Sequence, residues 1–161
     1  MKTPESTHVI RFPDCDPFNH LNNGRYLDYF INAREDHLME HYGFEIHSYA
    51  KETGKSWLVG QNQIAYFMPA ALMEKVVIQS TVLEFNASDI LVEMRMWDEQ
   101  KRRLKALLWI RFVHVDIKEG KRINHDEALL EKFTPIVNPL EQQLFFEQRL
   151  LDIRRKKVEE M

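Results

Sequence analysis

The chain has 161 residues, 44% of them hydrophobic and 29% charged, with a net charge of -3 when histidines are counted as neutral. Those figures describe an ordinary globular protein with one substantial core. They argue against a nucleic-acid partner, whose binders concentrate positive charge, and no stretch nears the roughly 18 apolar residues of a membrane span.

The first seven residues are mostly polar and lead into no apolar run of signal-peptide length. His8 to Phe12 is a short apolar run with strand preference, stopped by Pro13. The next ten residues are rich in Asp, Pro and Asn and form a loop. That loop holds the lone cysteine, Cys15, which excludes an intrachain disulfide and suits a reducing compartment. A cytoplasmic location is the expectation.

Tyr26, Leu27, Phe30, Ile31, Leu38 and Tyr42 then recur at the spacing of one helix face. The helix should start near Asn22 or Asn23, good N-cap residues, and stop at Gly43. From residue 57 the period becomes that of strands. Trp57 to Phe67 ends at Pro69, and Lys75 to Phe85 is dense in β-branched residues. Ile90, Val92, Met94 and Met96 alternate with Leu91, Glu93, Arg95 and Trp97, with one face expected to be buried. Leu104 to Asp116 completes a four-strand meander. A strand, a long helix and a meander give an α+β fold with one helix packed on the sheet. The other sheet face needs cover, which points to an oligomer.

Asp126 should cap a short helix carrying Leu129, Leu130 and Phe133. Asn138-Pro139-Leu140-Glu141 has the residues of a helix start, followed by a stripe of Leu140, Leu144, Leu151 and Val158, widened by Phe145 and Leu150. That helix either packs on its own domain or serves an oligomer interface.

The polar loop carries the chemistry. Asp14, Asp16, Asn19, His20, Asn22 and Asn23 fall within ten positions. Turn-making and capping account for some of them. A Ca²⁺ loop is disfavoured because the sixth-position Gly and twelfth-position Glu are missing. Phe12-Pro13-Asp14-Cys15-Asp16-Pro17, then His20-Leu21-Asn22-Asn23 and Tyr26-Leu27, resembles the signature of hot-dog acyl thioesterases. The first portion is similar to the 4-hydroxybenzoyl-CoA thioesterase type and the second to acyl-acyl carrier protein (ACP) thioesterases. The resemblance covers roughly residues 8–133. It implies a hot-dog domain over residues 1–134, one long helix wrapped by a curled antiparallel sheet, with residues 135–161 as a helical extension.

The resemblance also implies roles. Asp16 falls at the catalytic carboxylate, acting as nucleophile or general base. The backbone N–H of Asn23 falls where the thioester carbonyl is polarised, at a helix N-terminus. His20 falls at the histidine of the carrier-protein group. Those enzymes tend to have Asn two residues after the catalytic Asp. Here that position is Phe18, which favours a mechanism led by Asp16. Asn22 is assigned mainly to loop geometry, and Tyr26 to the core or the substrate. Gln61, Asn62 and Gln63 lie mid-strand beside the expected cleft, with Gln63 taken forward as a substrate contact. Arg102, Arg103 and Lys105 either grip coenzyme A phosphates or keep a turn soluble. Asp14 reads as a structural partner, and Cys15, flanked by two carboxylates, as an inert thiol.

No metal or cofactor is called for, since a carboxylate and backbone donors suffice. The implied activity is hydrolysis of an acyl-CoA by a homodimer or homotetramer. An acyl-ACP thioesterase and a non-catalytic acyl-CoA-binding module are the alternatives. A dehydratase on the same fold would need a His and carboxylate in another spacing.

Overall fold

The computed structural model describes residues 1–159, except for the side chain of Val158. The elements run β1 (Glu5–Val9), α1 (Tyr26–Tyr42), α2 (Ile46–Thr53), β2 (Lys55–Tyr66), β3 (Lys75–Phe85), β4 (Asp89–Asp98), β5 (Leu104–Asp116), β6 (Lys121–Arg122), α3 (Glu127–Phe133) and α4 (Phe146–Glu159). The sheet order is β1-β3-β4-β5-β2, all antiparallel, with β6 paired to β5. This is the expected α+β hot dog: a long helix held against a curled antiparallel sheet.

Helix α1 starts through a tight turn, Asn23–Arg25, whose N-cap Asn22 accepts a hydrogen bond from the Gly24 amide. It ends at Gly43, which adopts the left-handed conformation (φ 60°) and donates to the carbonyls of Leu38 and Met39. Its inward face carries Tyr26, Phe30 and Ala33 onto Val76, Ile78, Val92, Met94, Leu108 and Ile110 of the concave sheet face. Phe30 has no solvent exposure, so Phe30→Ala should cost roughly 3–5 kcal/mol.

The alternation read in β4 holds, but both of its faces are buried. Leu91 joins Leu83, Leu107 and Trp109 on the outer face, where Phe146 and Leu150 of α4 cover them. Glu93 is buried there too. Its carboxylate accepts Arg149 Nε (2.8 Å) and Nη2 (2.9 Å) from α4, Arg95 Nη1 (2.7 Å) and Trp109 Nε1 (2.8 Å). Part of the cover assigned to an oligomer is therefore supplied by the chain itself.

Three local expectations are corrected, and one helix arises that none of them covered. The first strand is Glu5–Val9 rather than residues 8–12, because its register is fixed by pairing with residues 75–79 of β3 and Pro13 belongs to a one-turn helix, Phe12–Asp14. Helix α2 arises in a stretch that carried no prediction. Glu45 caps it by accepting from the amides of His47 and Ser48, and Gly54 ends it at φ 72°. The last helix starts at Phe146, not at Asn138. Val137 bridges to Val82 and the Asn138 amide donates to the Val82 carbonyl, so the chain continues extended along β3 past the end of β1. Phe146 and Leu150 are buried, with Ile153 partly buried beside them, while Phe145 and Leu151 are exposed and the Val158 side chain lies outside the described residues.

Strand β2 is an outer strand of the sheet. A bulge lies between Val59 and Gln61, where Gly60 runs so close to β5 that an added Cβ would sit 2.8 Å from a Val113 methyl. Among the described residues no helix is long and apolar enough to cross a membrane.

Candidate active site

The loop before α1 is a small closed hairpin. Cys15 bridges to Leu21, the Asp16 amide donates to the His20 carbonyl (2.8 Å), and the Asn22 amide donates to the Asp14 carbonyl (2.9 Å). The tip turns on Asn19, at φ 61°, a conformation that Asn tolerates better than most residues. The Leu21 amide donates to the Ala70 carbonyl and the Leu72 amide to the Asn19 carbonyl, so the hairpin is laced to the segment linking β2 to β3.

This lacing holds the Asp16 carboxylate in one place. Oδ1 accepts the amides of Phe18 (2.9 Å) and His20 (3.2 Å), while no described residue donates to Oδ2. Asp16, His20, Leu21, Asn23, Tyr26, Tyr66, Phe67, Met68 and Pro69 line a cleft of about 210 Å³. Asp16, His20, Asn23 and Tyr26, all given candidate roles in the sequence, thus converge.

At the helix end, the Asn22 side chain engages Gly24 and its carbonyl takes the Arg25 amide (2.8 Å), while the Asn23 amide has no partner among the described residues. A free N–H at a helix start is a donor for a developing oxyanion. Tyr66 donates to the Asn23 carbonyl (2.9 Å) and packs edge-on against Tyr26 at 5.0 Å. Tyr26 is buried, and its hydroxyl accepts the Ala70 amide (3.2 Å). Its phenol is pushed above its ordinary range by burial, so it stays protonated. Tyr66 was not foreseen as a cleft residue; its polar hydroxyl at the end of a strand was the available signal.

The remaining candidates lie outside the cleft wall. Asn22 is a cap. Gln63 alternates with Ile64, which packs on the inner core, and shares the outer face with Ala65. Lys105 is held by Glu74 (2.9 Å) and the Pro69 carbonyl (2.9 Å), and Arg102 and Arg103 are exposed. Asp14 accepts from the Tyr29 hydroxyl (2.6 Å), the structural role expected of it. The Cys15 thiol is pushed up by burial and then by Asp16 and Asp14, which disfavours thiolate formation.

A long helix wrapped by this sheet, with a carboxylate loop at the helix N-terminus, defines the hot-dog thioesterase class. Residues 10–133 match the thioesterase-like superfamily, and the chain belongs to it: it is a thioester hydrolase. It is 27% identical over 128 residues to the long-chain acyl-CoA thioesterase FadM of Escherichia coli (strain K12), covering 80% of this chain and 95% of that protein. It is similar to the crystal structure of YbaW, a probable thioesterase from Escherichia coli, with a TM-score of 0.71, 25% identity, and coverage of 83% of this chain and 98% of that one. The fold is also that of the DHNA-CoA thioesterase of Staphylococcus aureus, with a TM-score of 0.77 at 17% identity over 84% of this chain and 91% of that one.

Proposed function

We propose that the protein hydrolyses an acyl-CoA to the free acid and coenzyme A, with Asp16 as the reacting carboxylate. The observation that carries this reading is the division of labour within Asp16: among the described residues Oδ1 is anchored by two amides and Oδ2 has no donor, in a cleft that also holds the Asn23 amide, itself without a partner there. The thioester carbonyl accepts from the Asn23 N–H. Oδ2 then either attacks the carbonyl carbon, giving a mixed anhydride that water cleaves to the acid and free Asp16, or removes a proton from the water that attacks the carbonyl. The thiolate of coenzyme A leaves and is protonated. One donor of the Asn23 kind contributes about 10²–10³ in rate. His20 lines the same cleft with an imidazole that makes no hydrogen bond among the described residues, so it is available to the substrate or to water. The resemblance to FadM supports coenzyme A as the thiol carrier.

In this reading residues 1–134 are the catalytic domain and residues 135–161 an extension whose helix α4 packs on the outer sheet face. The unpaired edge of β2, with Leu58 and Val59 exposed, is the surface through which two copies pair.

The test is thiol release from a panel of acyl-CoA and acyl-ACP thioesters, with wild type beside Asp16→Asn. Turnover of acyl-CoA that falls by two or more decades in the variant is expected. Turnover of acyl-ACP alone would reassign the carrier, and binding of acyl-CoA without turnover would make the protein a sensor. Single-turnover hydrolysis in H₂¹⁸O, followed by mass analysis of the Asp16 peptide, separates nucleophile from general base.

A further inference from the structure

A second, larger cavity of about 400 Å³ lies between the C-terminal half of α1, the concave sheet face and α3. That size is within the roughly 300–1,000 Å³ usual for small-molecule sites. Its walls are Leu38, Val92, Phe112, Leu129, Phe133 and similar apolar side chains, interrupted by Arg34 and Lys132. The lining contains two cations and no carboxylate.

Arg34 is only 7% exposed, and buried guanidinium groups are ordinarily paired with an anion. Here its neighbours are neutral. Nη1 donates to Ser80 Oγ (2.9 Å), which also contacts His37 Nδ1 (2.8 Å), and the guanidinium carbon lies 5.9 Å from the centre of the ring of Tyr42, whose hydroxyl is a second neutral hydrogen-bond partner. Burial, then the positive Arg34, push His37 down to about 4, so it is neutral at pH 7. Burial lowers Arg34 itself to about 10, which still leaves it charged at neutral pH. The site therefore holds a buried cation at the wall of an apolar chamber, with more donors than its neutral partners Ser80 and Tyr42 take up and no counter-charge among the described residues.

We infer that this cavity binds an apolar molecule ending in a carboxylate, its chain among the Leu38, Phe112 and Phe133 side chains and its carboxylate on the unpaired donors of Arg34. Arg presents its N–H groups in a fork that matches a carboxylate two-to-two. The exposed Lys132, on α3, adds positive charge at the cavity wall. Eleven residues of chain separate Asn23 from Arg34, about 16 Å at helical rise, and the buried Tyr26 and Phe30 lie between them along α1. The chamber is thus distinct from the Asp16 cleft in this subunit; binding of a free acid there does not depend on the proposed reaction, whereas a thioester source rests on it. Two sources offer the same chemistry: a free fatty acid, or the far end of a dicarboxylic acyl thioester.

The experiment is calorimetric titration of the full chain with decanoate and with decanol, on wild type, Arg34→Met and Ile136→Trp. Wild type should bind decanoate at least tenfold tighter than decanol. Arg34→Met, which keeps an unbranched stem of similar reach, should lose about 10- to 100-fold of decanoate affinity and leave decanol unchanged. Ile136→Trp, which fills the chamber from its partly exposed wall and leaves the cation in place, should weaken both ligands. A parallel arm compares hydrolysis of dodecanedioyl-CoA and dodecanoyl-CoA. A KM raised in Arg34→Met for the dicarboxylic substrate alone assigns the site to that source. If decanoate and decanol bind wild type equally or not at all, and Arg34→Met leaves both substrates unchanged, the inference is wrong. Continued hydrolysis of dodecanoyl-CoA by Arg34→Met distinguishes that result from failure of the thioesterase reading.

Discussion

The Tyr66 hydroxyl donates to the carbonyl of Asn23 across 2.9 Å, joining the end of β2 to the first turn before α1. The bond holds the carbonyl of Asn23, one peptide beyond the N–H that is the carbonyl-polarising donor in the proposed reaction. Removing it should loosen the donor without unfolding the helix. Tyr66→Phe is expected to lower kcat about tenfold with KM nearly unchanged, at a stability cost of about 1 kcal/mol. Steady-state kinetics beside thermal melts check this, and an unchanged kcat would remove Tyr66 from the site.

In the proposed reaction Asp16 has two separable jobs, one for each oxygen. Asp16→Asn keeps an oxygen for the Phe18 and His20 amides but loses the reactive carboxylate, so activity should drop by about 10²–10⁴ with melting near wild type. Asp16→Ala loses the anchors as well, and should be less stable by about 1–2 kcal/mol at similarly low activity. Equal melting temperatures for the two variants would show that the anchoring of Oδ1 is immaterial.

Helix α4 is fastened by Arg149 on Glu93, a carboxylate with no solvent exposure. Arg149→Met leaves that charge buried with less compensation and should cost about 3–5 kcal/mol, read from urea unfolding. A Glu93→Gln/Arg149→Met double variant should recover part of it. Burial alone would raise the Glu93 carboxyl, but the Arg149 hydrogen bonds and the Arg149 and Arg95 charges hold it below its ordinary 4.5. The contribution is therefore complete above about pH 4.5 and disappears as pH falls through the lower, folded-state value.

Four histidines, His8, His37, His114 and His125, are held below their ordinary 6.5, each chiefly by burial. The folded state keeps them neutral, while the unfolded chain takes up protons near 6.5. Stability is thus complete above that pH and declines as pH falls, reaching about 4 for His37. His37 alone accounts for on the order of 3 kcal/mol. Chemical-denaturation midpoints should drop between pH 6.5 and 4, and His37→Gln should flatten that drop.

Much of the fold was legible because its signals are local. The spacing of Tyr26, Leu27 and Phe30 and the stop at Gly43 mark α1, and the β-branched run from Val76 to Val82 marks β3. The segment Asp14 to Asn23 was legible as a site because its residues are crowded in sequence and its spacing matches a known signature. The loop hydrogen bonds then needed only ten consecutive residues and one neighbouring segment. Helix α2 was missed although Glu45 and Gly54 are a serviceable start and stop, since only Ile46, Tyr49 and Ala50 mark its apolar side.

By itself the sequence determined which residues make the helix, the meander and the carboxylate loop, because capping, periodicity and turn chemistry act over a few neighbours. Tertiary structure alone decided three things. It put residues 136–138 beside β3 and so delayed α4 to Phe146, since a free sheet edge outcompetes a helix cap. It brought Tyr66 to Asn23, 43 positions apart. It also enclosed Arg34 among apolar side chains without an anion, a relation between α1, the sheet and α3 that no periodicity encodes, because each residue there has an ordinary local reason for its place.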